Sequence, residues 1–228
     1  MNVIDNIGIT LFLGSDSAFL DYFALTVTNA LVWVPMFVAM AYMVIKNNDN
    51  IQQILVFFGC VALMMLLSAG VCNIVVKPLA ERLRPCNTPE LKYLVQIAGN
   101  YHAKDYSFFS SHAANTVAVT TFFGIIVRSK RLFFTLFTWY LLSIWSRLYL
   151  GQHFLTDIAA GTLWGIISAF IACFEYIRIY AKVTEKKSFI SEQYTTTGFA
   201  LSDVNIIVTV FLLTVMTAMV CGPLIPEL

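Results

Sequence analysis

Six stretches of this chain stay apolar for about as long as a bilayer is thick, and that constrains its fold more than any other feature. They run roughly over residues 23–45, 51–76, 111–127, 132–145, 154–177 and 204–221, the fourth being short unless it continues to Leu150. A helix of about 20 apolar residues crosses a hydrocarbon core of about 30 Å. Inside that core every backbone N–H and C=O needs a partner within the protein, so these runs are expected to be helices. Charged residues make up 12% of the 228, roughly half the usual share for a soluble domain. The expected fold is therefore all-α, a bundle of six transmembrane helices forming one domain over residues 1–228, with no internal repeat.

Composition also removes several function classes. The net charge is +1, and no basic block interleaves with aromatics, so nucleic acid is not an expected partner. The five cysteines, Cys60, Cys72, Cys86, Cys173 and Cys221, match no metal spacing, and only Cys86 falls in a loop, so neither a metal site nor a disulfide framework is expected. The first residues lack the positive region of a secretory leader. Within an N-terminal segment 1–22, apolar Val3, Ile4, Ile7, Leu11 and Leu13 fit either an interfacial helix or a plain surface extension.

Six crossings put both termini on one side, together with the loop 77–110 and the turn 146–153. The other side carries Lys46, Arg128, Lys130, Arg131, Arg178, Lys182, Lys186 and Lys187, eight cations against Lys77, Arg82, Arg84, Lys92, Lys104 and Arg147. If Lys77, Arg84 and Arg147 are reserved for chemistry, the balance is eight to three. Positive charge marks the cytoplasmic side. The loop 77–110 then faces the periplasm or exterior of a bacterial inner (cytoplasmic) membrane.

Three short clusters sit on that outer side, each at the end of an apolar run. In the first, Lys77 ends the second run and Arg84-Pro85 follows seven residues later, almost two helical turns, so a helix started by Pro78 would point both cations one way. The plainer reading is a pair of interfacial anchors. In the second, Ser110 or Ser111 can cap the third helix, whose free amides and positive end suit a phosphate, with His112 in the first turn. A phosphate dianion there would favour the imidazolium, a general acid. The plainer reading is a capped helix with an interfacial histidine. In the third, Ser146-Arg147 close the fourth run, Gly151 permits a turn, and Asp157 lies one helical turn beyond His153. A carboxylate in a span needs a partner, and His153 is the nearest. A carboxylate on one ring nitrogen leaves the other as a directed nucleophile or base. The plainer reading is a structural His–Asp pair. Glu175 and Arg178 are spaced as an interfacial ion pair, and His102, near Lys104 and Asp105, reads as a solvated loop residue.

Independent anchors need not share a side, and these three clusters do. Lys77 with Arg84-Pro85, Ser110-Ser111-His112, and Ser146-Arg147 with His153 and Asp157 resemble the three-part signature of the type 2 phosphatidic acid phosphatase family, which vanadium-dependent haloperoxidases share. The first and third parts match in residue type and spacing. The second departs, with Phe109-Ser110-Ser111-His112 where the family usually has Pro-Ser-Gly-His, so Ser111 narrows the backbone geometry a glycine would allow.

The resemblance implies the roles. Lys77, Arg84 and Arg147 would clamp a phosphate together with Ser110 and the amides of Ser111 and His112. His153 would attack phosphorus, Asp157 would orient His153, and His112 would protonate the leaving oxygen. No metal or other cofactor is implied, and three cations can supply the charge stabilisation that phosphoryl transfer needs. The expected activity is metal-independent hydrolysis of a lipid phosphate or pyrophosphate: undecaprenyl pyrophosphate, phosphatidylglycerophosphate, phosphatidic acid or lipid A. The loop 86–109 is expected to cover or gate the site, and no obligate protein partner is evident. Two rivals remain: a phosphate-lipid transporter or binding protein without turnover, and a vanadate-dependent haloperoxidase, whose known members are soluble.

Overall fold

The computed structural model describes residues 3–91, 106–184 and 192–221, and these are helical almost throughout, with no strand among them. The order is α1 (Val3–Phe12), α2 (Ala18–Thr28), a 3-10 turn (Ala30–Trp33), α3 (Val34–Lys46), α4 (Ile51–Met65), two π-helical segments (Leu66–Gly70 and Cys72–Val76), α5 (Lys77–Ala80), α6 (Ser111–Val127), α7 (Lys130–Tyr149), α8 (Leu155–Val183) and α9 (Leu201–Cys221). The long helices alternate in direction, so the α4–α5 run ends, α6 begins, α7 ends and α8 begins at one end of the bundle.

Three stretches are long and apolar enough to cross a membrane by length and composition: the run from Ile51 to Asn87, α8, and the run Leu201–Val220. A fourth crossing arises if α2 and the Ala30–Lys46 stretch are counted as one, although they meet at 68°. The chain is therefore an integral membrane protein with three to four spans of that kind. The expected single crossing over 23–45 is a broken one. Asn29 takes an extended backbone, its side chain accepts from the Leu31 amide at 3.0 Å, and Pro35 opens α3, so α2 has to stop. The expected third run coincides with α6, which is short for a span, while the fourth reaches Tyr149, four residues further than composition indicated.

Helix α6 is the central post. It is apolar on every side, and eleven of its seventeen residues are buried against α4, α7 and α8. Its tightest neighbour is α8, where Gly161 and Gly165 lie four residues apart. A Cβ on Gly165 would collide with the Ala114 carbonyl, and one on Gly161 with the Ser110 carbonyl. Small residues at this spacing let two helix backbones approach where lipid gives no hydrophobic push. Lower in the bundle, Phe57 meets Phe122, Phe123 and Tyr176 edge-on, with ring centroids 5.4, 5.3 and 5.6 Å away. On the outside, Leu163, Phe170 and Phe174 of α8 and Leu212, Leu213 and Met216 of α9 are exposed, an apolar belt suited to acyl chains.

The far end is fastened by polar contacts. Lys46 Nζ reaches Asp203 at 2.7 Å, Asn47 donates to the same carboxylate at 2.7 Å, and the Ala200 amide donates back to Asn47 at 2.8 Å, tying α3 to α9. Arg178 and Glu175 pair at 3.7 Å, as their spacing predicts. At the near end α1 is a helix that packs on α7 and α8, with Val3, Ile4 and Leu11 turned outward. His102 and most of the loop 86–109 lie outside the described residues.

If close α6–α8 contact holds the bundle, Gly165→Ala will cost about 1–3 kcal/mol of stability, the usual range for overpacking. Gly59→Ala, where nothing lies within 4 Å, will be neutral or slightly stabilising. Thermal unfolding in detergent checks this, and equal midpoints for the two variants would contradict it.

Candidate active site

Each element delivers its side chain for a local reason. The π-helical turns before Lys77 widen the helix and shift its register, a deviation common at functional sites. Lys77 is buried, and the helix then stops at Ala80, because Glu81 takes a left-handed backbone with φ of 44°. Lys77 and Arg84 therefore do not share a helix face, contrary to the expectation from their spacing. The chain turns back instead, and Arg84 is held by the α7–α8 connection: its Nη1 donates to the Gln152 carbonyl at 2.9 Å, and the Cys86 amide donates to the Gly151 carbonyl at 3.0 Å. Gly151 has φ of 61°, so glycine suits this turn.

Ser110, not Ser111, caps α6: its Oγ accepts from the Ala113 amide at 3.4 Å. The Ser110 amide is committed to the Asp157 carbonyl at 3.1 Å, which binds the start of α6 to the first turn of α8. The Ser111 and His112 amides have no acceptor among the described residues and remain donors at a positive helix end. The side chains of Ser111 and His112 are half-buried and line a cavity described below.

Arg147, buried at the end of α7, donates from Nη1 to Thr28 Oγ1 at 3.0 Å. Thr28 is the last residue of α2, so the break at Asn29 brings α2 into the site. His153 is buried in the connection before α8. Its Nε2 faces Arg84 Nη1 at 3.3 Å, and an arginine can only donate, so Nε2 carries the lone pair. Its Nδ1 then bears the proton and faces Asp157 Oδ2 at 3.8 Å, too far for a hydrogen bond.

Asp157 is therefore not partnered chiefly by His153, as sequence proximity led us to expect. Its Oδ1 pairs with Arg82 Nη1 at 2.6 Å. Its Oδ2 accepts from the Ser107 hydroxyl and, at 2.9 Å, from the Phe154 amide, closing the first turn of α8. Arg82 reaches on to Asp5 of α1 at 2.6 Å, and Asp5 accepts from Thr156 Oγ1 at 2.7 Å. Arg82 entered the sequence reading only as one cation in a topological count, and Ser107, Thr28 and Asp5 not at all. The available signals were weak: an arginine two residues before Arg84, and one acid in an otherwise apolar N-terminal helix.

The same cations, Lys77, Arg84 and Arg147, act electrostatically on both histidines. All eight residues singled out in the sequence thus gather at one end of the bundle, although His153 and Asp157 stop short of a hydrogen bond. Lys77, Arg84 and Arg147 are all buried at this end of the bundle, where Arg82 pairs with Asp5 and Asp157. A phosphate monoester carries about −1.5 to −2 near neutral pH, and such a cluster of cations complements it. Concentrated cations in a low-dielectric setting bind such an anion strongly, because water screens them poorly. Burial, and then Arg147, Arg84 and Lys77, hold the His153 imidazole well below its usual range, so it is neutral and nucleophilic at neutral pH. Among the described residues no group of His, Cys, Asp and Glu is arranged to hold a metal ion.

A Lipid A 4'-phosphatase of Bacteroides thetaiotaomicron is 33% identical over 164 residues, covering 71% of this chain and 72% of that protein. A second Lipid A 4'-phosphatase, from Porphyromonas gingivalis, is 29% identical over 154 residues, covering 68% of this chain and 65% of that protein. No solved structure matches the chain. The family model of the PAP2 superfamily matches residues 57–179, the part of the chain that holds every clustered cation and both histidines. The chain belongs to the PAP2 superfamily.

Proposed function

We propose that this protein is a metal-independent lipid phosphatase that removes a phosphate from lipid A through a phosphohistidine intermediate, on the outer side of a bacterial inner membrane. The observation that carries the reading is the Arg84 guanidinium 3.3 Å from the lone-pair nitrogen of His153, with the buried cations Arg147 and Lys77 acting electrostatically on the same ring. Lys77, Arg84, Arg147 and the free amides of Ser111 and His112 bind the phosphate oxygens. The bound phosphate dianion favours the imidazolium form of His112, which takes up a proton as the substrate binds. His153 Nε2 then donates its lone pair to phosphorus, the bond from phosphorus to the lipid oxygen breaks, and His112 gives that oxygen its proton. Water then attacks the phosphohistidine while His112 takes a proton from it, the P–N bond breaks, and inorganic phosphate leaves. Positioning and charge do the work, as phosphoryl transfer requires.

A cavity of about 560 Å³ supports a lipid substrate. It is lined by Thr28, Ser111 and His112 near the cations and runs among α3, α4, α6 and α7 to Phe123 and Val44, with Trp33 and Phe37 along its wall. From His112 to Phe123 it follows α6 for about 16 Å at 1.5 Å per residue. That is about half of a 30 Å hydrocarbon core, the depth of one leaflet. An acyl chain of a lipid in the outer leaflet fits this dimension while its phosphate lies among the cations. The two lipid A phosphatases support lipid A as the headgroup.

Purified protein in excess EDTA is expected to release phosphate from lipid A faster than from undecaprenyl pyrophosphate, phosphatidylglycerophosphate or phosphatidic acid. Binding without release from any of the four would contradict the reading and favour a transporter. His153→Ala is expected to abolish turnover while the protein stays folded, and full activity would refute the nucleophile. Protonated His153 has no lone pair with which to attack, and burial with the neighbouring cations lowers its pKa from about 6.5, so the acid limb of kcat/KM is expected below that value. An acid limb above that value would contradict the burial argument. Ala41→Trp, at the cavity wall, is expected to raise KM for a long-chain lipid phosphate about tenfold, and to leave hydrolysis of a short soluble phosphate ester unchanged. Equal effects on both substrates would mean the cavity holds no tail.

A further inference from the structure

The Arg82 network is not used by the reaction just described, yet it ties together several buried polar groups. Arg82 Nη1 holds Asp157 Oδ1 at 2.6 Å and Thr156 Oγ1 at 2.8 Å, while Nη2 holds Asp5 Oδ2 at 2.6 Å. Its guanidinium carbon lies 4.2 Å from the centre of the Phe154 ring, and its own carbonyl accepts from the Ser107 amide at 2.8 Å. Asp5 is 1% exposed and Asp157 fully buried, so neither carboxylate is a solvated surface charge. Asp5 also accepts from the Thr156 amide at 3.2 Å, which docks α1 on the start of α8. One arginine thus joins the N-terminal helix, the loop before α6, and the carboxylate beside the nucleophile.

We infer that Arg82 is a positioning residue that sets both the place and the effective charge of Asp157, and that Asp5 of α1 tunes it, so that the N-terminal helix is part of the catalytic apparatus. Arg82 holds one oxygen of Asp157 and turns the other toward His153 Nδ1 at 3.8 Å, short of a full hydrogen bond. A carboxylate neutralised in this way attracts a proton onto His153 less than a free one would. Asp5 acts in the opposite sense, because its negative charge partly offsets Arg82. The other charged or titratable groups facing His153 are Arg147 on α7, Lys77 and Arg84 from the segment after α4, and His112 on α6, and none of them changes in the variants below.

The inference rests on His153 being the reacting histidine, so its test reads that residue directly as well as through turnover. The chain has three histidines, and ring-labelled protein in detergent resolves their titrations by NMR, with His153→Asn assigning the signal. Arg82→Gln is expected to raise the His153 pKa by about one unit and Asp5→Asn to lower it by a smaller amount, since an adjacent opposite charge typically moves such a group by about one to three units. Arg82→Lys keeps the charge and is expected to stay near the wild-type value. In lipid-phosphate assays the acid limb of the rate should move with each titration. Arg82→Gln should lose about tenfold to a hundredfold in kcat, with KM little changed, because orientation rather than binding is lost. Unchanged His153 titration in both Arg82→Gln and Asp5→Asn, or shifts of the same sign, would overturn the inference. If Arg82→Gln does not fold, the direction of the Asp5→Asn shift against Arg82→Lys decides alone. Titration shifts as expected in a protein that releases no phosphate would contradict the phosphatase reading and with it the catalytic role of α1, while the electrostatic link from Asp5 and Arg82 to His153 would stand.

Discussion

Everything at the active end of this protein depends on holding positive charge where water is scarce. Lys77, Arg84 and Arg147 are each at most 5% exposed, the first two from the segment after α4 and the third from the end of α7. Buried like charges repel and resist desolvation, so a fold that keeps three of them together needs strong anchors or an anionic ligand. The anchors are visible: the Gln152 carbonyl for Arg84 and the Thr28 hydroxyl for Arg147. A phosphate dianion is the kind of ligand that such a cluster of buried cations favours.

The packing that makes the bundle also sets the distances in the site. Gly161 lets the start of α8 approach Ser110 so closely that the Ser110 amide bonds the Asp157 carbonyl at 3.1 Å. That contact fixes the first turn of α6, with His112, against the first turn of α8, just after His153. The break at Asn29 turns α2 across the bundle end, seats Thr28 on Arg147, and puts Val27 and Thr28 at the wall of the cavity beside residues of α3, α4, α6 and α7. A straight helix over this stretch would carry Thr28 elsewhere. Stability and chemistry are therefore coupled here through backbone contacts rather than through side chains alone.

Much of this was legible in the residues. Apolar runs of bilayer length announced the helices, and α6 begins and ends where composition places it, because Ser110 is a strong cap and Arg128 follows the last apolar residue. The grouping of His112, His153, Asp157 and the three cations followed from putting their runs on a common side. What periodicity could not show were the departures from regular helix. The π turns and the left-handed Glu81 decide where Lys77 and Arg84 point, and neither has a composition signal. The partner of Asp157 was missed for a different reason: proximity in sequence favoured His153, whereas Arg82, 75 residues away, makes the shorter contact. Asp5 lies further still, and only the folded packing of α1 on α8 brings it in.

The account stands or falls on a covalent bond at one nitrogen. Lipid A labelled in its phosphate, mixed with the enzyme and quenched in alkali within the first turnover, should leave label on the protein, and peptide mapping should place it on His153. The label should be absent from His153→Ala and should decay at the rate of steady-state phosphate release. Turnover with no labelled protein at any time, or label on another residue, would contradict the central claim.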